Sequence, residues 1–204
     1  MRPSLVVLHY TAMADAQSAL ERLCNPDAEV SAHYLIGDDG TLWQMVHEAD
    51  RAWHAGAGEW HGQDDINSRS IGIELDNRGD QPFSNQQMKV LETLLQQIMQ
   101  HWAIPPEGII GHSDIAPGRK HDPGPRFDWA RLERQGLAEK RGCEQGPDDP
   151  SPDLFRALAR RAGFTSSVDD ETLLAAVRLR YRPHARGDLA SQDFTPLGHS
   201  ALWT

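Results

Sequence analysis

The sequence holds only two cysteines, Cys24 and Cys143, in 204 residues. Two thiols cannot build the cross-linked framework of a small secreted scaffold. Its apolar runs are only a few residues long, which excludes a membrane-spanning helix. Cationic excess is missing too: 20 Lys and Arg stand against 30 Asp and Glu, a formal net charge of −10. A general nucleic-acid binder needs a concentrated basic surface, so that class falls away. There is no internal repeat, and no His-Glu-x-x-His helix of the kind that holds zinc in helical peptidases. The opening residues do not read as a secretion leader. Met1-Arg2-Pro3-Ser4 runs into Leu5-Val6-Val7-Leu8, and His9 interrupts before an apolar core forms. The expected address is cytoplasmic, or periplasmic if the start is truncated.

What remains is ordinary globular material, 39% hydrophobic and 25% charged, with ten histidines as its unusual feature. Charge divides the chain near residue 150: residues 1–149 carry 13 basic and 24 acidic side chains, residues 150–204 carry 7 and 6. The Gly-, Pro- and Asp-rich stretch between them reads as a linker. The expected organisation is a larger unit over 1–141, a linker over 142–152 and a small helical unit over 153–204. The last is marginal in length for an independent core and should lean on the first.

Leu5–Leu8 reads as a short buried strand, and Ala16, Ala19, Leu20 and Leu23 recur behind it at helical spacing. His33–Ile36 and Thr41–Val46 flank Gly37-Asp38-Asp39-Gly40, a hairpin connection rich in residues that tolerate positive φ. Ser70–Leu75 alternates as a strand. From Asn85 to Trp102, the positions Met88, Leu91, Leu95, Ile98 and Trp102 trace one helix face, with Ser84 and Gln87 at capping-box spacing. Ile109–Gly111 is a last short strand. The C-terminal part shows helical stripes after Ser151-Pro152 and around Leu173–Tyr181, with a third short helix expected near Leu197–Trp203. The fold class is therefore α/β, a central mixed β-sheet flanked by α-helices, plus a small C-terminal helical bundle.

His9 and His112 each follow an apolar strand-like run, and Asp122 lies ten residues beyond His112. Two imidazoles and a carboxylate suit a catalytic zinc centre, which commonly uses three protein ligands and leaves a fourth position open. On spacing alone, hydrogen-bonded histidines and a turn aspartate are the better reading. The surrounding residues are more specific. Gly111-His112-Ser113-Asp114-Ile115-Ala116-Pro117-Gly118-Arg119-Lys120-His121-Asp122-Pro123-Gly124-Pro125 closely resembles the signature of the zinc-dependent N-acetylmuramoyl-L-alanine amidases of the amidase-2 group, relatives of the peptidoglycan recognition proteins. Leu8-His9-Tyr10-Thr11, Val30–Tyr34, Trp53-His54-Ala55-Gly56 and Ser70–Leu75 match in the family's order across roughly residues 5–135. The C-terminal stretch, with Tyr181-Arg182-Pro183, more distantly resembles a small peptidoglycan-binding-like helical domain.

The resemblance implies Zn2+ held by His9, His112 and Asp122, with Glu74 activating water and Lys120 steadying charge on the attacked carbonyl. It implies a peptidoglycan or muropeptide partner and cleavage between muramic acid, or its anhydro form, and L-alanine. A monomer is expected. Alternatives on the same fold are a binding-only peptidoglycan module and a zinc peptidase cutting within the stem peptide. Among the remaining residues, His54 reads as a groove contact beside Trp53. Trp53, Trp43 and Trp60 offer stacking surfaces unless they belong to the core, and Arg69 can pair with a peptide carboxylate unless it is a solvated charge. His33 reads at least as well as a core or hydrogen-bonded supporting residue as it does as a groove contact. His47, His61, His101, His121, His184 and His199 read as surface.

Overall fold

Strand periodicity builds a sheet whose two faces are closed by different parts of the chain. The computed structural model describes residues 1–198. Five strands, β1 (Leu5–Tyr10), β2 (Tyr34–Ile36), β3 (Leu42–Gln44), β4 (Ser70–Leu75) and β5 (Ile109–Gly111), form one mixed sheet in the order β3-β2-β4-β1-β5. β1 runs parallel to both β4 and β5, and β2 parallel to β4, whereas β2 and β3 form the antiparallel hairpin read from Gly37–Gly40. In register, His9 faces Glu74 across β1 and β4, and Leu8 faces Gly111. The carboxyl ends of three parallel strands therefore deliver His9, Glu74 and His112 to one edge of the sheet.

Side chains alternate across a strand, so each face has its own core. Val6, Leu8, Ile71, Ile73 and Leu75 pack under α2 (Asn85–Trp102), which lays down Met88, Leu91, Leu95 and Ile98 along the expected stripe. Ser84 caps that helix by accepting from the Gln87 amide at 3.1 Å. The reciprocal half of the capping box does not form. The Gln87 side chain instead donates to the carbonyls of Ile36 and Asp76, stitching helix to sheet.

The opposite face carries Leu5, Val7 and Ile110, and it is covered by the C-terminal helices α5 (Pro152–Arg161) and α6 (Asp170–Tyr181) through Phe155, Leu158, Leu173 and Val177. Two shorter helices, α3 (His112–Ile115) and α4 (Trp129–Arg134), follow β5, and α1 (Ala16–Leu23) follows β1. The Gly142 amide donates to the Pro196 carbonyl, and a Cβ at Gly142 would lie 1.7 Å from the Gly198 carbonyl oxygen. The linker is thus strapped to the last turns of the chain. Of the expected third helix, Leu197 closes a short 3-10 turn over Thr195–Leu197; the remainder, with His199, lies outside the described residues.

One buried ion pair joins the two parts. Arg180 of α6 is 4% exposed and Asp114 of α3 fully buried, and they pair while Arg180 lies 4.0 Å over the Trp129 ring. Removing one partner of such a pair strands the other charge in low dielectric, which costs about 3–5 kcal/mol. Arg180→Met is expected to lower unfolding free energy by about that amount in urea denaturation. Arg156→Ala, which breaks the exposed Arg156–Asp170 pair, should cost no more than about 1 kcal/mol.

Candidate active site

Three acceptor atoms converge where β1 and β5 end. His9 Nδ1 lies 2.9 Å from His112 Nδ1 and 2.9 Å from Asp122 Oδ2, and His112 Nδ1 lies 3.0 Å from the same carboxylate oxygen. All three residues are buried, and among the described residues they form one group that could hold a metal ion. Local structure fixes each of them. His9 is the penultimate residue of β1, His112 opens α3 directly after β5, and the Ser113 amide donates to the Asp122 carbonyl at 2.9 Å, tying the segments of His112 and Asp122 together.

The electrostatics follow from burial. Desolvation and the neighbouring His112 lower the His9 pKa to about 4, so its imidazole is neutral at physiological pH. Burial pushes the Asp122 carboxyl up, but the His112 and His9 imidazoles against it outweigh burial and hold the group well below the ordinary carboxylate range. Glu74 shows the opposite balance. Burial, then Asp122, raises its pKa to about 8, with Lys120 pulling back only in part. Its Oε2 atom is buried and has no hydrogen-bond partner. The cluster opens into a cavity of about 290 Å³ that Tyr10, Arg22, Glu74 and Lys120 also line. A second cavity, about 570 Å³, shares Leu23 and Val30 with the first and is walled by Trp53.

This constellation coincides with the reach of a family model described as N-acetylmuramoyl-L-alanine amidase, which matches residues 1–125. The chain belongs to the N-acetylmuramoyl-L-alanine amidase family. It is an enzyme that hydrolyses the amide between a muramoyl group and L-alanine. The amidase AmiD of Escherichia coli is 37% identical over 208 aligned residues, spanning 94% of this chain and 71% of the relative. The 1,6-anhydro-N-acetylmuramyl-L-alanine amidase AmpD of Haemophilus influenzae is 38% identical over 63% of this chain and 79% of its own length. Among solved structures, E. coli AmiD bound to anhydro-N-acetylmuramic acid-L-Ala-D-γ-Glu-L-Lys superposes with a TM-score of 0.86 at 31% identity, covering 97% of this chain and 87% of that one. AmpDh3 of Pseudomonas aeruginosa gives 0.84 at 31% identity, over 97% and 90%.

Within this amidase, one of the residues expected to meet substrate stands elsewhere. Arg69 sits at the amino end of β4, five residues from Glu74, and donates to the Gln63 side chain. At about 3.3 Å per residue a strand carries it roughly 16 Å from the carboxyl end, so it cannot reach the cavity. The guanidinium that lines the cavity belongs to Arg22, in the last turn of α1. Sequence periodicity marked that helix but not which way Arg22 would face. His54 lines the cavity although it is only 6% exposed, and its Nδ1 lies 3.0 Å from His9 Nε2. Trp53 is 59% exposed, with Arg51 stacked 4.6 Å from its ring, whereas Trp60 is core, edge-on to Phe164. His33 is fully buried, accepting from the Gly72 amide and donating to the Asp50 carbonyl. His47, His61, His101, His121 and His184 are exposed as expected.

Because burial raises Glu74 from 4.5 to about 8, ionising it opposes folding of the metal-free protein between those values. Its protonated form is the favoured one in the fold, so the associated stability is complete below about pH 4.5 and is lost as pH rises through 8. Relative to Glu74→Gln, the wild type should lose about 1.4 kcal/mol of unfolding free energy per pH unit across that window. Paired urea titrations of the metal-free proteins check this.

Proposed function

We propose that the chain is a zinc-dependent amidase in which His9, His112 and Asp122 hold the metal, Glu74 is the general base and acid, and Lys120 is the electrostatic stabiliser. The observation that carries this reading is the convergence of two imidazole nitrogens and one carboxylate oxygen within 3.0 Å of one another, beside an unpartnered carboxylate. The donor set fits zinc: nitrogen and oxygen ligands, three in number, buried on one side and open to a cavity on the other. Two neutral histidines and one aspartate leave the centre with one net positive charge. When bound, zinc polarises a carbonyl and lowers the pKa of water toward neutrality.

The remaining work falls to side chains. An amide is a poor electrophile with a poor leaving group, so hydrolysis needs a proton taken from water and one given to nitrogen. Glu74, poised near neutral pH by its burial, takes the first proton and returns it to the departing amine of L-alanine. The Lys120 ammonium, on the same cavity, faces the carbonyl oxygen and offsets the negative charge that grows there. Trp53 offers a stacking surface in the adjoining cavity, and Arg22 a partner for a stem-peptide carboxylate. The relatives' names favour fragments that end in anhydromuramic acid. One chain supplies every residue named, so a monomer suffices. We keep the division into a catalytic segment 1–141, a linker 142–152 and a helical segment 153–204. None of the described residues beyond Asp122 lines the metal-side cavity, and the helical segment serves first as cover for the second sheet face. No helix among the described residues is long and apolar enough to cross a membrane.

Glu74→Gln should keep its zinc and lose about 10²–10⁴-fold in kcat, whereas Lys120→Met should lose about 10²–10³-fold with KM little changed. Both are read from turnover of an anhydromuropeptide with metal content assayed on the same samples. Mass spectrometry should find a free peptide headed by L-alanine; a cut inside the peptide would make the enzyme a peptidase instead.

A further inference from the structure

The dipeptide His54-Ala55 touches both proposed histidine ligands on their outer nitrogens. The Ala55 carbonyl lies 2.8 Å from His112 Nε2. A carbonyl only accepts, so Nε2 carries the proton and the neutral ring leaves Nδ1 bare. On His9 the same question passes through three groups. The Ser70 hydroxyl donates its one proton to the Ile66 carbonyl at 2.6 Å, so toward His54 Nε2, 3.3 Å away, Ser70 Oγ accepts. His54 therefore bears its proton on Nε2, and its bare Nδ1 accepts from His9 Nε2 at 3.0 Å. His9 is left with a bare Nδ1, aimed at Asp122 Oδ2 and His112 Nδ1. Both chains of inference end on the same three lone pairs, a set that repels itself until a cation lies among them.

We infer that His54-Ala55 is a tautomer-setting element: the His54–Ser70–Ile66 relay and the Ala55 carbonyl hold both ligand histidines in the Nε2–H form, presenting Nδ1 to the metal. His54 is a positioning residue, acting through His9. The element is itself anchored. The buried Asn67 side-chain oxygen accepts from the His54 amide at 3.0 Å and the Ala55 amide at 2.8 Å. Arg119 donates to the Ala55 carbonyl at 3.0 Å as well, which keeps that oxygen an acceptor. Room for the His54 ring comes from Gly72 in β4, where a Cβ would lie 2.4 Å from His54 Cγ. Outer partners of metal-bound histidines commonly matter by about 10–100-fold in metal affinity.

The inference rests on the zinc reading above, and two measurements on the full-length chain separate them. Nitrogen-15 NMR of the imidazoles in metal-free protein, at alkaline pH where the rings are neutral, should show His9, His54 and His112 protonated on Nε2. Zinc affinity, measured by competition with a chromophoric chelator, should fall about 10–100-fold in His54→Phe, which keeps a ring but offers no acceptor. His54→Gln, whose amide oxygen can accept from His9, should recover most of it. Ser70→Ala, which frees the His54 tautomer, should weaken zinc by a smaller factor in the same direction and shift part of His9 to the Nδ1–H form. A His9 protonated on Nδ1 in the wild type, or a folded His54→Phe binding zinc as tightly as wild type, would overturn the inference. A wild type with the expected tautomers that fails to bind zinc would instead overturn the zinc reading and leave the relay standing.

Discussion

The site depends on strand register. β1, β4 and β5 lie side by side and parallel, and because His9 pairs with Glu74 while Leu8 pairs with Gly111, the chemistry is delivered to one edge at a common height. A slip of one residue in β4 would turn Glu74 to the α2 face, where Ile71 and Ile73 now pack, and send an apolar side chain to the cavity. The sheet is buried on both faces, so such a slip would also exchange the side chains that fit the two cores. The same packing that stabilises the fold thus fixes the distance between the proposed base and the proposed metal ligands.

Burial then does electrical work at that edge. His9 is kept neutral, Asp122 is kept charged by its two imidazole partners, and Glu74 is kept protonated well above the usual carboxylate range. The neutral His9 and the charged Asp122 are the states that a divalent cation requires of its ligands, and Glu74 becomes a base once it gives up its proton; one region produces both through unequal access to partners. Asp122 has two imidazoles within 3.0 Å, whereas Glu74 Oε2 has no hydrogen-bond partner. The C-terminal helices contribute from behind. Arg180 reaches Asp114 and the Ile109 carbonyl, so α6 braces the segment that presents His112.

Much of this was legible in the sequence, for reasons that can be named. The long helix α2 and the Gly37–Gly40 hairpin declare themselves because periodicity and turn chemistry are local. His9, His112, Asp122, Glu74 and Lys120 were legible through ordered motifs whose spacing the fold preserves. What failed was whatever depended on packing at a distance. Arg69 stands near Glu74 in sequence but at the other end of a six-residue strand. Arg22 reaches the cavity only because of how α1 sits beside β1. Gln87 left its expected cap for sheet carbonyls. Nor does an arginine in a helical stripe disclose that it is buried, as Arg178 and Arg180 are.

The central claim is that two imidazole nitrogens and one carboxylate oxygen of this chain surround a single zinc ion. X-ray absorption at the zinc edge, on protein loaded with one equivalent, reads that shell directly. The account predicts two imidazole scatterers with nitrogen and oxygen neighbours at about 2.0–2.2 Å and no sulfur. A shell built from oxygen alone, or one containing a thiolate from Cys24 or Cys143, would contradict it.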